Sequence, residues 1–268
     1  MTSLQKAIKY ASMAFAVLLA LGIVSGLLRA VGLIDMLIDR DAVAEETRVY
    51  EISDEITALD IRIGAAALTI RQGEAFSVES NLRDLRVKEK DGTLIIEEDT
   101  SFAKSYHDAV LVLCVPEGTV FEKASIETGA GVVTVDVLSA SRLKLVFGAG
   151  DVRVDTLNAS ESAEIVGGAG RLTVSGGELH GLDLEMGVGE LILTSALLGR
   201  SDLELGIGET EITLIGGEED YTVDIEKGLG GITVDGESVS GSVVRGHGQN
   251  KIDVSGGIGA IRMFFGEE

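Results

Sequence analysis

A strand-like run, then Gly-x-Gly, then a second strand-like run recurs as TGAGVVTV, FGAGDVRV, GGAGRLTV, MGVGELIL and LGIGETEITL. The leading glycines are Gly129, Gly148, Gly168, Gly187 and Gly206, so successive steps are 19, 20, 19 and 19 residues. Chance glycine richness does not give four such steps, and a fixed period of this length marks stacked supersecondary units. The series continues less regularly at Gly228 (KGLGGITV), Gly246 (RGHGQNKIDV) and Gly257 (GGIGAIRMFF). IGAAALTI at Ile63–Ile70 reads as an earlier copy in which alanine replaces the second glycine.

Within each unit apolar residues alternate. Leu143, Leu145 and Phe147 precede one glycine pair, with Val152 and Val154 after it; Leu182, Leu184 and Met186 precede another, with Leu191 and Leu193 after it. Leu203, Leu205 and Ile207 are matched by Ile212 and Leu214, and the intervening positions hold Asp183, Glu185, Glu190, Glu204, Glu209 and Glu211. Period two means strands with one face in and one face out. No helical period appears after residue 45. The 35 glycines beside a single proline, Pro116, fit many strands joined by tight turns rather than collagen.

Two architectures satisfy this pattern. In a β-solenoid each repeat is one coil and equivalent residues stack about 4.8 Å apart. In an antiparallel meander each Gly-x-Gly turns a hairpin. Near-constant repeat length favours the solenoid, because a longer coil would break the ladder to its neighbours. The expected fold is therefore all-β, a β-solenoid of about 19–20-residue Gly-x-Gly repeats, preceded by one N-terminal transmembrane α-helix. Between residues 45 and 127, LDIRI, ALTIRQ, AFSVES, DLRVKEK and TLIIEED read as strands, with a turn at Asp91-Gly92 and a loop at Ser101–His107. They are expected to form the first coils. Met263, Phe264 and Phe265 are expected to plug the C-terminal end, with Glu267 and Glu268 keeping it soluble.

The stretch Ala11–Leu28 has 18 residues without a charge, and such a helix covers about 27 Å, close to the hydrocarbon thickness of a bilayer. Lys6 and Lys9 precede it, while Asp35, Asp39 and Asp41 follow. The positive-inside rule then gives a cytoplasmic tail over 1–10 and a transmembrane signal anchor over 11–34. A juxtamembrane linker follows over 35–48, and an extracytoplasmic β-repeat ectodomain over 49–268. A cleaved signal peptide is the competing reading. The apolar run is long for one, and no small-x-small cleavage site follows it.

The run VLCVPEGTVFEKASIETGAGVVTVDVLSASRLKLVFGAGDVRV (Val112–Val154) resembles the putative-adhesin family of bacterial β-strand-repeat envelope proteins, LiaG-like members included. Val115-Pro116-Glu117-Gly118 matches its hydrophobic–Pro–charged–Gly segment, and the glycine pairs from Gly129 to Gly208 match its repeats. The resemblance covers about Thr57–Phe265 and implies a membrane-anchored, solenoid-like ectodomain at the cell envelope. It supplies no catalytic residues.

The formal net charge is −22, with 18 of 22 bases and 41 of 44 acids beyond residue 44. A surface this acidic repels nucleic acid. Each Gly-x-Gly is followed by a strand, whereas a phosphate-binding fingerprint needs a helix there. A calcium nonapeptide repeat needs an aspartate where Leu172, Thr134, Arg153 and Thr213 stand. His107, His180 and His247 show no metal-ligand spacing, and Cys114 is alone in the apolar run Ala109–Val115, where it reads as a small buried hydrophobe. No catalytic, cofactor-binding or metal-ligating residue is assigned. The functional expectation is a non-enzymatic, membrane-inserted module for cell-envelope interaction, adhesion or stress sensing. Its partner would be an envelope or cell-wall component or another membrane protein. The alternatives are a self-assembling, bactofilin-like scaffold and a glycan-active β-helix enzyme; against the enzyme, the chain has no tryptophan and only dispersed arginines.

Overall fold

Strands that bury alternate residues, at equal spacing, can stack their apolar faces coil upon coil. The computed structural model describes residues 46–53, 55–98 and 109–266. The described residues are all-β apart from a short 3-10 turn at Glu218–Asp220. Through the middle of the chain the pairing is parallel and steps by one repeat: Asp183 lies beside Glu164 on one side and Asp202 on the other. The solenoid expectation therefore holds there, and the meander does not.

One buried aliphatic column gives the order of the coils in space. Ile96 lies beside Ile61, and Ile61 beside Ile126. The long strand Phe121–Val174 then carries Ile126, Leu145 and Ile165 round successive levels. Beyond it come Leu184, Leu203, Val254 and Ile225. Every member of this column is at most 3% exposed. A second column runs parallel to it on the other side of the corner, from Leu113 and Ile70 through Leu193 and Ile212 to Met263 and Val234.

The middle coils add a third side. Ala159 pairs with Leu179, and Leu179 with Leu197, all buried. Asn158 ties this side together: its amide donates to Ser139 Oγ at 3.0 Å, and its Oδ1 accepts from the Glu178 N–H at 3.0 Å.

Both ends depart from chain order. The coil Ala58–Gly73 lies between the later pair Thr93–Glu98 and Val110–Pro116 and the start of Phe121–Val174. At the other end, Asn250–Ser255 and Ile261–Gly266 are inserted between Arg200–Ile215 and the earlier coil of Tyr221–Glu226 and Ile232–Val234. Among the described residues, antiparallel pairing is confined to these ends. Leu85–Lys90 and Ser77–Ser80 cover one, with Arg48–Glu51 beyond; Glu237–Val239 and Val243–Gly246 cover the other. Asp91-Gly92 does form the two-residue turn between its strands, both residues at positive φ.

Two expectations are corrected here. Met263 is not part of an end plug: it is 0% exposed in the second aliphatic column, between Ile212 and Val234. The true end is the Glu237–Gly246 region, because the chain turns back before its last coil. Gly246 is not a corner glycine either; it ends the strand Val243–Gly246, paired antiparallel with Thr222. The expected tail 1–10, membrane helix 11–34, most of the linker 35–48, the loop Ser101–His107 and the charges Glu267 and Glu268 lie outside the described residues. Among the described residues no helix is long and apolar enough to cross a membrane.

The corners explain the glycines. Gly189 has φ +148°, and a Cβ placed on it would lie far inside contact distance of the Gly170 carbonyl oxygen on the next level. Any side chain there meets both backbone strain and a neighbouring coil. Inward positions compensate one another in size: a Cβ on Gly167 would meet Phe147 and Met186, whose side chains fill the space it leaves. Near the far end Tyr221 is 1% exposed, its hydroxyl donates to the Ile215 carbonyl, and its ring centroid is 6.2 Å from that of Phe265.

Gly189→Ala should cost about 3 kcal/mol or more in urea unfolding. Gly231→Ala, with ordinary φ and nothing within 4 Å of its Cβ, should shift stability by less than about 1 kcal/mol. Equal unfolding midpoints would refute the corner argument. Burial pushes the Tyr221 phenol up from its ordinary value of 10.0. Its contribution to stability is thus complete below the unfolded-state pKa and is lost as pH rises through the folded-state pKa. Tyr221→Phe should lose stability at pH 8 but flatten the decline above pH 10 in thermal melts; an unchanged alkaline slope would contradict this.

Candidate functional site

The residues singled out in the sequence do not converge. His180 is partly exposed and its Nε2 lies 3.1 Å from Glu178 Oε1, while His247 is exposed near the far end of the stack. His107 lies outside the described residues. Cys114 is buried as expected, and its sulfur also accepts a hydrogen bond from Arg71 Nε at 3.2 Å. That bond, with the Glu79 carboxylate charge, raises the Arg71 pKa further. Among the described residues no group of three His, Cys, Asp or Glu could hold a metal ion.

The repeat instead brings together the outward positions of its strands. Because register is parallel, one chemical type repeated along the sequence becomes a column across the levels. Glu164, Asp183, Asp202, Asp253 and Asp224 stand in one such column. Glu185, Glu204, Ser255 and Glu226 stand in the next. Neighbours in a column are about 4.8 Å apart along the stack.

Cations neutralise only part of this array. Arg200 reaches Asp253 at 2.6 Å and Asp202 at 3.4 Å, and Lys144 reaches Glu164 at 2.8 Å. The hydrogen bond to Asp202 and the two carboxylate charges raise the Arg200 pKa further; Glu164 does the same for Lys144. Asp183, Glu185, Glu204, Asp224 and Glu226 have no basic partner among the described residues. Across the Gly-x-Gly corner the balance differs. Arg171 holds Glu190 at 2.6 Å, and Arg262 holds Glu209 at 3.0 Å and Glu211 at 3.2 Å.

Sequence alternation identifies Asp183, Glu185 and Glu204 as outward, and that is where they lie. Asp224 and Asp253 escape the same reasoning, since their coils are stacked in reverse chain order and a 19-residue step from Asp202 finds neither. The signal that would have found them is the shared pattern in TVDIEKG and KIDVSGG.

A family model described as Toastrack DUF4097 matches residues 56–261. Among solved structures, a putative cell adhesion protein from Clostridium sporogenes is 17% identical, with 82% of this chain and 99% of that one covered and a TM-score of 0.39. A putative adhesin from Bacteroides fragilis is 14% identical, covering 81% and 96%, with a TM-score of 0.48. A putative lipid binding protein from Parabacteroides distasonis is 17% identical, covering 86% and 99%, with a TM-score of 0.35. Likenesses this distant carry no functional argument. No curated protein matches the chain.

Like charges stacked in register repel, and salt screens them. Thermal stability should therefore rise between about 20 mM and about 500 mM sodium chloride. Glu204→Gln should stabilise the fold by a few tenths of a kcal/mol at low salt, about the size of one like-charge cross-strand pair, and by less at high salt. A variant with the same advantage at both salts would show that repulsion is not the cause.

Proposed function

The chain belongs to the Toastrack DUF4097 family, and on that premise we propose that it is a non-catalytic binding module of the cell envelope. In this reading residues 11–34 anchor it, residues 1–10 face the cytoplasm, and the β-stack stands outside. Lys6 and Lys9 before the apolar segment, against Asp35, Asp39 and Asp41 after it, support that orientation.

The observation that carries the binding role is the registered carboxylate array. A pocket enzyme concentrates unlike groups at one point; this surface repeats like groups over several levels. That suits contact with an extended partner that also repeats its charge, whether in wall attachment, adhesion or reporting of envelope stress.

A scaffold that stacks end to end is the runner-up. Against it, Leu85–Lys90 at one end carries Arg86, Lys88, Glu89 and Lys90, and the strands at the other end span only Glu237–Val239 and Val243–Gly246. Charged or short edge strands are features that blunt edge pairing.

Protease added to intact cells should digest the stack, and a photo-crosslinker at position 183 should capture envelope material. Protection of the stack until lysis would sink the reading, as would release of soluble fragments from wall polymers by the purified chain. Sedimentation of a monomer at high concentration would remove the scaffold.

A further inference from the structure

The middle residue of each Gly-x-Gly corner points away from the core, and these residues also stack. In spatial order they are Ala65, Ala130, Ala149, Ala169, Val188, Ile207, Ile258 and Leu229. Half of this edge is alanine; the other half is large and aliphatic. Leu229 is 70% exposed and Ile258 40%. Folding does not require this, because the same corner closes with alanine on the earlier levels. Glycines flank each of these side chains on both sides except Ala65, which Ala66 follows, so they form a ridge that is half-buried at Val188 and Ile207 and exposed at Ile258 and Leu229.

The charge beside the ridge changes at the same place. Three residues before the corner stand Glu185, Glu204, Ser255 and Glu226 on the aliphatic levels, against Arg62, Glu127, Val146 and Val166 on the alanine levels. Glu185, Glu204 and Glu226 have no basic partner among the described residues. On the opposite flank Glu190 and Glu209 are neutralised by Arg171 and Arg262. Large apolar side chains and free carboxylates thus coincide on the same few levels and on one side.

Building on the binding-module reading, we propose that Val188, Ile207, Ile258 and Leu229, with Glu185, Glu204 and Glu226, dock an amphipathic helix of a partner protein, apolar along one stripe and rich in Lys or Arg beside it. The four ridge residues span about 14 Å at 4.8 Å per level, near the 5.4 Å rise of successive helical turns. An extended partner strand would present same-side residues every 6.8 Å or so and fall out of step. A second copy would set its own carboxylates against these, and an anionic membrane surface would be repelled.

The test uses the full-length chain and two labelled 18-residue amphipathic peptides, with leucines at i, i+3, i+4 and i+7 flanked by lysines in one and glutamates in the other. The lysine peptide should bind, and more weakly as salt rises. The combined variant Ile207→Ala, Ile258→Ala and Leu229→Ala, copying the alanine corners, should weaken it about tenfold or more. The combined variant Glu185→Gln, Glu204→Gln and Glu226→Gln should remove most of the salt dependence. Equal binding of both peptides, or an unaffected alanine variant, overturns the proposal. So does a dimer that the alanine variant dissolves, or capture by zwitterionic vesicles. Crosslinking at position 183 that persists in the alanine variant defeats this ridge alone, whereas protection from external protease defeats the envelope reading itself.

Discussion

Everything in this molecule depends on how closely one glycine corner approaches the next. At each level the missing Cβ of the second glycine would point along the stack at the carbonyl oxygen of the level before: Gly131 at Ala66, Gly150 at Gly131, Gly208 at Gly189, Gly230 at Gly259. That contact holds neighbouring corners at ladder distance, and with them the aliphatic columns on both sides. The direction is the same throughout, which accounts for the one exception. Ala66 occupies a second-glycine position, yet the level behind it has no Gly-x-Gly corner for its methyl group to strike. Its φ is not positive either. Alanine thus stands at a corner whose neighbouring segment, between Glu98 and Ala109, has no glycine in its sequence.

Much of the fold was legible for this reason. A contact that only glycine permits leaves a mark at each turn of the coil, and the steps from Gly129 to Gly206 state the period outright. Alternation then assigns inside and outside, correctly for Leu184, Leu203 and Ile212 but not for Ile207, which sits at the corner in register with Val188 and Ile258 rather than in the core. What could not be read was the order of the end coils. Nothing in KGLGGITV or GGIGAIRMFF says which lies further from the centre, because both have the same corner and the same alternation. Their placement is decided by the hairpin-like return through Glu237–Gly246, a long-range choice. The displaced role of Met263 follows from that single ambiguity.

The surface was half legible. Parity shows that Asp183 and Glu204 face outward, but a column is a property of stacking rather than of one strand. Its composition changes when two coils exchange places. With the true order, the acids of the last two coils join those of the middle ones, and carboxylates dispersed through the chain become a continuous array. Arg200 illustrates the point. Its ion pair with Asp253 joins residues 53 positions apart in chain order only because Asn250–Ser255 is inserted beside Arg200–Ile215.

That insertion has a temporal side. Residues 250–266 are synthesised after both of their neighbours, yet they lie between a coil begun at Arg200 and one begun at Tyr221. Until they arrive, Leu203 and Ile225 lack the neighbour, Val254, that both share. A chain that stopped before residue 250 would leave two strand ladders without their shared partner and the aliphatic column open between them. The far end of the stack can therefore close only after both flanking coils have been made, so its assembly runs against the order of synthesis.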